Sequence, residues 1–338
     1  MTGEKVVRTN QKLLETMRHN RIIITFLGFF CLVLSCSKND SVSDIPDNPV
    51  EQTDQNKPDA VKTVSFNVPA FKDTDEVFTK TQIGEDGTSF SWSANDTVGI
   101  YPSSGSQVYF TMDEGEGASS AQFDGGGWEF KQSAVYYSYY PFIGDIYLRR
   151  DYIPVSYSGQ KQTGITGTSH IGPFDFMCTD ATTASSGSLS FNYHHLGALL
   201  YVKATLPAGT YTKLAITAPS NAFVSKGYYN LVSSNPSIIS TENSNQFVID
   251  LENITLTEQT QFMVYMMIAP TNLNGVEITV SVLNDQKKEY QCKKTPSRVY
   301  EAGNRYGLTC SSFEEVPQSM GLIVGDWDDG GNIGGDAE

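Results

Sequence analysis

Asn274-Gly275-Val276-Glu277-Ile278-Thr279-Val280-Ser281-Val282 is the stretch that decides the fold class. Val276, Ile278, Val280 and Val282 alternate with Glu277, Thr279 and Ser281. A period of two puts the apolar set on one face of a strand and the polar set on the other. Asn-Gly immediately before such a run is a strong short-range hairpin signal. The reading is a half-buried β-strand entered through a tight turn.

The same texture extends in both directions. Upstream, a strand set is expected to begin at Leu189-Ser190-Phe191. It continues through the apolar run from Leu196 to Leu206, through Leu214, Ile216 and Ala218, and through Phe247-Val248-Ile249 and Phe262 to Ala269. Downstream, Val299-Tyr300 and Tyr306 to Thr309 close it. An earlier set starts at Val64, Phe66 and Val68, which alternate with polar partners until Pro69. It takes in Phe90-Ser91-Trp92-Ser93, Asp96 to Tyr101, Trp128-Glu129-Phe130 and the aromatic run Val135 to Phe142. Residues 143–187 are rich in Gly, Ser and Thr and read as loops, edge strands or the join between domains. Outside the leader, no window of a dozen residues carries a 3.6-residue period. Short strands separated by turn residues indicate an all-β sandwich or barrel. The expected architecture is an N-terminal β-sandwich over 61–187 and a C-terminal one over 188–311. One further strand and an acidic, Gly-rich tail occupy 312–338.

The N-terminal end has a different character. A basic patch, Arg18-His19-Asn20-Arg21, precedes an apolar run from Ile22 to Leu34. That run is shorter than the roughly 20 residues a spanning helix needs, and it reads as an export signal. Leu32-Val33-Leu34-Ser35-Cys36 resembles a bacterial lipobox. The resemblance implies acylation of the Cys36 thiol and cleavage between Ser35 and Cys36, so that residues 1–35 are a lipoprotein signal peptide. Met17 is a more natural start than Met1. Residues 36–60 hold prolines and acids with almost no large apolar groups, and read as a disordered tether. As a coil it would reach on the order of 25–30 Å. A lysine and acids just after the cysteine resemble the surface-export signal of lipoproteins in Gram-negative anaerobes.

The chain carries a formal net charge of −15, from 23 basic and 38 acidic residues. Such a surface repels nucleic acid. Beyond Cys36 the cysteines are Cys178, Cys292 and Cys310. Three is odd, so this is no disulfide framework. Cys292 and Cys310 flank a turn-rich stretch and could be bridged. No cysteine pair has zinc-ligand spacing. His194-His195 are adjacent on a strand, point to opposite faces and cannot chelate one metal together. There is no Gly-x-Ser-x-Gly elbow, phosphate loop or His-Glu-x-x-His. Asp326-Trp327-Asp328-Asp329-Gly330 lacks the spacing of a calcium loop. No catalytic residue, cofactor or metal is expected, and the chain reads as a non-enzyme.

Several segments, in order, resemble the fimbrillins, the Mfa-like or FimA-like subunits of type V pili. They are the lipobox, Lys80-Thr81, Phe90-Ser91-Trp92-Ser93-Ala94-Asn95-Asp96-Thr97-Val98-Gly99-Ile100-Tyr101, and Tyr136-Tyr137-Ser138-Tyr139-Tyr140-Pro141-Phe142. Leu189 to Leu196, Tyr300 to Thr309 and Asp326-Trp327 complete the series. The resemblance covers nearly all of the chain after Cys36. It implies two transthyretin-like β-sandwiches in series and export to the outer membrane as a surface lipoprotein. It also implies assembly with other pilin subunits by strand exchange, in support of adhesion. Carried onto this chain, the removable strand is Val64 to Val68. The trypsin-like cut follows Lys80 or Lys72, and the donor strand runs from Met320 through Leu322 and Val324 to Trp327. Two alternatives stand beside this reading. One is a lipid-retaining anchor subunit that is never cut. The other is a monomeric surface lipoprotein that binds host or bacterial glycans through exposed aromatics such as Trp92, Trp128 or Tyr136 to Tyr140.

Overall fold

The computed structural model describes residues 61, 63–73, 90–126, 128–144, 148–165 and 167–317. Ser35, Cys36, Lys80 and Met320 to Trp327 lie outside them. The fold is all-β, and among the described residues the one helical element is a single 3-10 turn, Gly172–Phe174.

The first group of strands closes on itself. Going round, the order is Val135–Tyr140, Thr97–Pro102, Val108–Glu114, Ser120–Asp124, Thr63–Asn67, Ser188–His195 and Met177–Thr179. Met177–Thr179 then pairs back onto Val135–Tyr140, with Tyr139 opposite Cys178 and Tyr140 opposite Met177. Thr182–Thr183 continues along that strand. Aromatic rings fill the interior, as the β-favouring residue types of these strands allow. Trp92, Tyr136, Tyr139, Phe66 and Phe191 are all fully buried.

The second group is open. A four-stranded sheet runs Thr260–Ile268, Ala198–Leu206, Asn304–Cys310, Lys72–Asp73. A six-stranded sheet runs Glu314–Glu315, Glu289–Lys294, Ile278–Asn284, Gly209–Thr217, Gln246–Leu256, Lys161–Thr163. Tyr211 of the six-stranded sheet stacks on Phe262 of the four-stranded one at 6.2 Å. A bulge between Tyr211 and Lys213 brings Tyr211, Leu214 and Ile216 all into the core. A three-stranded sheet, Ile239–Ser244, Phe223–Tyr229, Ile153–Ser156, completes this group with a short ladder of Thr271–Asn272 and Val299–Tyr300.

Some sequence readings change. Ser188–His195 does not open the second group; it pairs in parallel with Thr63–Asn67 inside the ring, so the change of sheet comes after it. Residues 143–187 serve both groups. Ile153–Ser156 and Lys161–Thr163 pair with strands of the second, while Met177–Thr179 and Thr182–Thr183 pair with the first. Asn274-Gly275 is a turn, with Gly275 at φ +71. It does not join a hairpin, because Thr271–Asn272 pairs with Val299–Tyr300 and Ile278–Asn284 with Gly209–Thr217 and Glu289–Lys294. As a central strand, Ile278–Asn284 buries Ser281 and Asn284 as well as its apolar face. Cys178, Cys292 and Cys310 are buried and free, so Cys292 and Cys310 are not bridged.

Candidate functional site

Thr63–Asn67 is the first strand of the described chain, yet it lies in the middle of a sheet. On one side it pairs in parallel with Ser188–His195, from Thr63 opposite Ser188 to Asn67 opposite Asn192. On the other it pairs antiparallel with Ser120–Asp124, but only Phe66 opposite Ala121 and Asn67 opposite Ser120. Val68 N–H extends that shorter side by donating to Ser119 O at 2.9 Å. Withdrawing this strand would open the ring and leave two unpaired edges facing one slot.

The slot is lined by rings. Phe66 is wholly buried, with ring centroids 4.5 Å from Phe123, 5.1 Å from Phe191 and 6.2 Å from Phe110. Trp92, also wholly buried, donates its indole N–H to Phe66 O at 2.9 Å. The outward face is polar. Asn67 Nδ2 donates to Ser190 Oγ at 2.9 Å and to Asn192 Oδ1 at 3.0 Å.

Past Pro69 the chain crosses to the second group. Phe71 is buried and stacks on the His195 ring at 3.8 Å. Lys72–Asp73 pairs in parallel with Asn304-Arg305 at the rim of the four-stranded sheet, and Lys72 N–H donates to Gly303 O at 2.9 Å. His195 clamps this crossing. Its Nδ1 lies 2.9 Å from both carboxyl oxygens of Asp175, and its Nε2 donates to Pro69 O at 3.0 Å. Both ring nitrogens are thereby engaged, Nε2 by a carbonyl and Nδ1 by a carboxyl group. Asp175 and His195 are both buried, so the clamp is shielded from water.

The sequence candidates divide as follows. Val64, Phe66 and Val68 form the inserted segment, Val64 half-buried and the other two buried. Lys72 is exposed but held in its short ladder. Trp92, Tyr136, Tyr139 and Tyr140 are core residues. Trp128 is half-buried among Phe110, Phe130 and Tyr136. None of these aromatics forms the solvent-facing platform that the glycan-binding alternative calls for. The adjacent histidines part as strand geometry requires. His195 turns inward, while His194 is half-buried with Nε2 3.2 Å from Cys178 Sγ.

That Cys178–His194 contact has the composition of a nucleophilic dyad, but its electrostatics are opposite to one. Burial pushes the Cys178 thiol far up, with Asp180 adding to the effect. Burial also holds His194 below the usual histidine range. The pair is a thiol beside a neutral imidazole, whereas a reactive cysteine needs its thiolate stabilised. Among the described residues no group of three or more His, Cys, Asp and Glu could hold a metal. Sequence reasoning missed the Trp92 bond to Phe66 O and the Asp175–His195 clamp. Both join residues far apart in the chain, and neither leaves a local spacing to read.

Residues 51–327 match the family model described as Fimbrillin-like. The structure is similar to that of a proposed cell adhesion protein from Bacteroides ovatus, with a TM-score of 0.50 and 14% identity, covering 76% of this chain and 97% of that one. It is also similar to a proposed cell adhesion protein from Bacteroides uniformis, with a TM-score of 0.48 and 15% identity over 67% of this chain and 91% of that one. The tip fimbrial protein Mfa3 from Porphyromonas gingivalis matches with a TM-score of 0.37 and 9% identity over 67% and 91% of the two chains. The comparison with curated proteins gave no match. The family match spans well over half the sequence, and on that ground the chain belongs to the fimbrillin-like family.

Proposed function

We propose that this protein is a non-enzymatic structural subunit of a cell-surface fimbria, exported as a precursor lipidated at Cys36 and assembled by strand exchange. The observation that carries the reading is the place of Thr63–Asn67: an N-terminal strand seated between two others, closing a ring that would otherwise be open. A cut after Lys80 or Lys72 would separate the strand covalently from the domain it completes. The emptied slot would then present two strand edges and an apolar floor, which together strongly favour adding a strand. The donor would come from the next subunit. Met320, Leu322 and Val324 repeat the two-residue spacing of Val64, Phe66 and Val68, so one face of such a strand would supply apolar groups to the same slot. A head-to-tail contact of this kind does not close and gives a filament.

The test is limited proteolysis of residues 37–338 with trace trypsin, followed by mass spectrometry and size-exclusion chromatography. The expected result is one cut between Val61 and Lys80, loss of the N-terminal strand and growth into ladders. Deleting Met320 to Trp327 should stop the growth without affecting the cut. A protein that resists cutting and stays monomeric would remove polymerisation by this route and favour the uncut, lipid-retaining anchor role.

A further inference from the structure

Among the described residues Thr260–Ile268 is an edge strand of the open second group, since its one backbone neighbour there is Ala198–Leu206. Bare edges of this length invite pairing with another chain. This one is filled by side chains. Gln160 Oε1 accepts from Met267 N–H at 2.8 Å, and Gln160 Nε2 donates to Met267 O at 2.6 Å. Two residues on, Gln162 Oε1 accepts from Tyr265 N–H at 2.8 Å, and Gln162 Nε2 donates to Met263 O at 2.8 Å. His170 Nε2 donates to Tyr265 O at 2.8 Å. Tyr265 and Met267 thus have both their backbone groups, and Met263 its carbonyl, taken by side chains.

The match is one of period. An edge strand offers its groups at every second residue, and Gln160 and Gln162 stand two apart. A primary amide carries one donor and one acceptor side, like a peptide group. The backbone around these glutamines belongs elsewhere: Lys161–Thr163 pairs in parallel with Asp250 to Glu252 of the six-stranded sheet. The segment therefore serves one sheet with its main chain and the other with its side chains. Gln160 and Gln162 are both essentially inaccessible to water. Burying two amides for packing alone would be costly; here their amide groups are bonded into the edge.

We infer that Gln160 and Gln162 are specificity-determining residues: they keep the Thr260–Ile268 edge closed to a strand from a second copy, so that subunits add only at the Thr63–Asn67 slot. The inference rests on the strand-exchange reading for its purpose, but the closure itself is tested without it. A protein that polymerises by adding strands is exposed to error at every bare edge. Two other edges of the second group are defended differently. Glu314–Glu315 is two residues long and acidic, and Ile239–Ser244 pairs across two register shifts with Phe223–Tyr229. Thr260–Ile268 is long, apolar and regular, and carries neither protection.

The experiment uses uncut residues 37–338 carrying Q160M/Q162M, which keeps the side-chain volume and removes every amide bond. Circular dichroism reports the fold, hydrogen exchange of peptides spanning 260–268 reports the edge, and size-exclusion chromatography reports association. The expected result is at least tenfold faster exchange at Tyr265 and Met267, with concentration-dependent oligomers forming without any protease. Wild-type protein stays monomeric under the same conditions. If the double variant does not fold, Q160M alone should speed exchange at Met267 and leave Tyr265 protected. A folded variant with unchanged exchange overturns the closure. Faster exchange in a protein that stays monomeric at high concentration overturns the guarding role. Wild-type protein that fails to grow after trimming would count against strand exchange, and would leave the exchange result at the edge to be judged by itself.

Discussion

The two strand groups solve the same problem in opposite ways. The first closes its ring with main chain, and the strand at the seam is the first of the described strands. The second stays open among the described residues, and its long apolar edge, Thr260–Ile268, is covered by glutamine and histidine side chains. A main-chain closure can be undone by one cut and refilled by another strand. A side-chain closure leaves no strand to withdraw and offers no such exchange. The difference separates an edge that is meant to open from one that is not. Phe66 and Trp92 hold the first in place, and Asp175 and His195 hold the chain beyond it.

The largest test of this contrast is Phe66→Ala. It removes a wholly buried ring in contact with Phe110, Phe123 and Phe191, and large-to-small core changes of this kind cost about 3–5 kcal/mol. Urea unfolding should show that loss. Hydrogen exchange should place it at Ser120–Asp124 and Ser188–His195, with Thr260–Ile268 still protected. Equal loss of protection at Thr260–Ile268 would mean the two groups unfold as one, and the contrast would fail.

A smaller effect is expected from His195→Phe. The substitution preserves a ring against Phe71 but leaves Pro69 O and the buried Asp175 carboxyl without their partner. Stranding one member of a buried pair costs about 3 kcal/mol or more, although local rearrangement around a chain crossing can absorb part of it. The more telling readout is tryptic nicking after Lys72. It should accelerate severalfold, because the clamp on Pro69 holds the segment that carries Lys72. An unchanged rate would show that the ladder of Lys72–Asp73 with Asn304-Arg305 is sufficient by itself.

The class of fold was legible because strand alternation is a local signal. Val64, Phe66 and Val68, and Leu214 and Ile216, face inward as their spacing requires. Ile239–Ser244 was not legible: every residue but the last is exposed, so it has no apolar period to detect. The placement of Ser188–His195 was hidden for another reason. Its own pattern is a clean alternation, but pairing with residues more than a hundred positions upstream is a property of topology. The edge cover was hidden because Gln160 and Gln162 read as ordinary polar residues in a Ser-, Thr- and Gly-rich stretch. Only the position of Thr260–Ile268 gives them a role. The glycan-binding alternative offered the aromatic run at Tyr136 to Tyr140 as an exposed platform. The hydroxyls of that run count against it, since Tyr139 donates to Gln107 Oε1 at 2.6 Å and Tyr140 to Asp96 Oδ1 at 2.9 Å from within the core.

The smallest effect concerns acid. Burial holds both His170 and His194 below the usual histidine range, one at the covered edge and one in the ring. A histidine with a depressed folded value takes up a proton more readily in the unfolded chain. Its contribution is therefore fully present above the unfolded value near 6.5 and is lost as pH falls below it. Thermal unfolding between pH 7.5 and 5 should show a midpoint that declines with acidification. His170→Asn should flatten part of that decline. At the edge the consequence is sharper than in the ring. His170 Nδ1 is buried with no partner, so a proton arriving there finds no acceptor, while its Nε2 is tied to Tyr265 O. Acid should therefore loosen the edge cover before it loosens the ring. Intact mass of limited-proteolysis fragments at pH 5.5 would show it as earlier cutting at Lys161 than at Lys72. The reverse order would place the weaker closure at the seam.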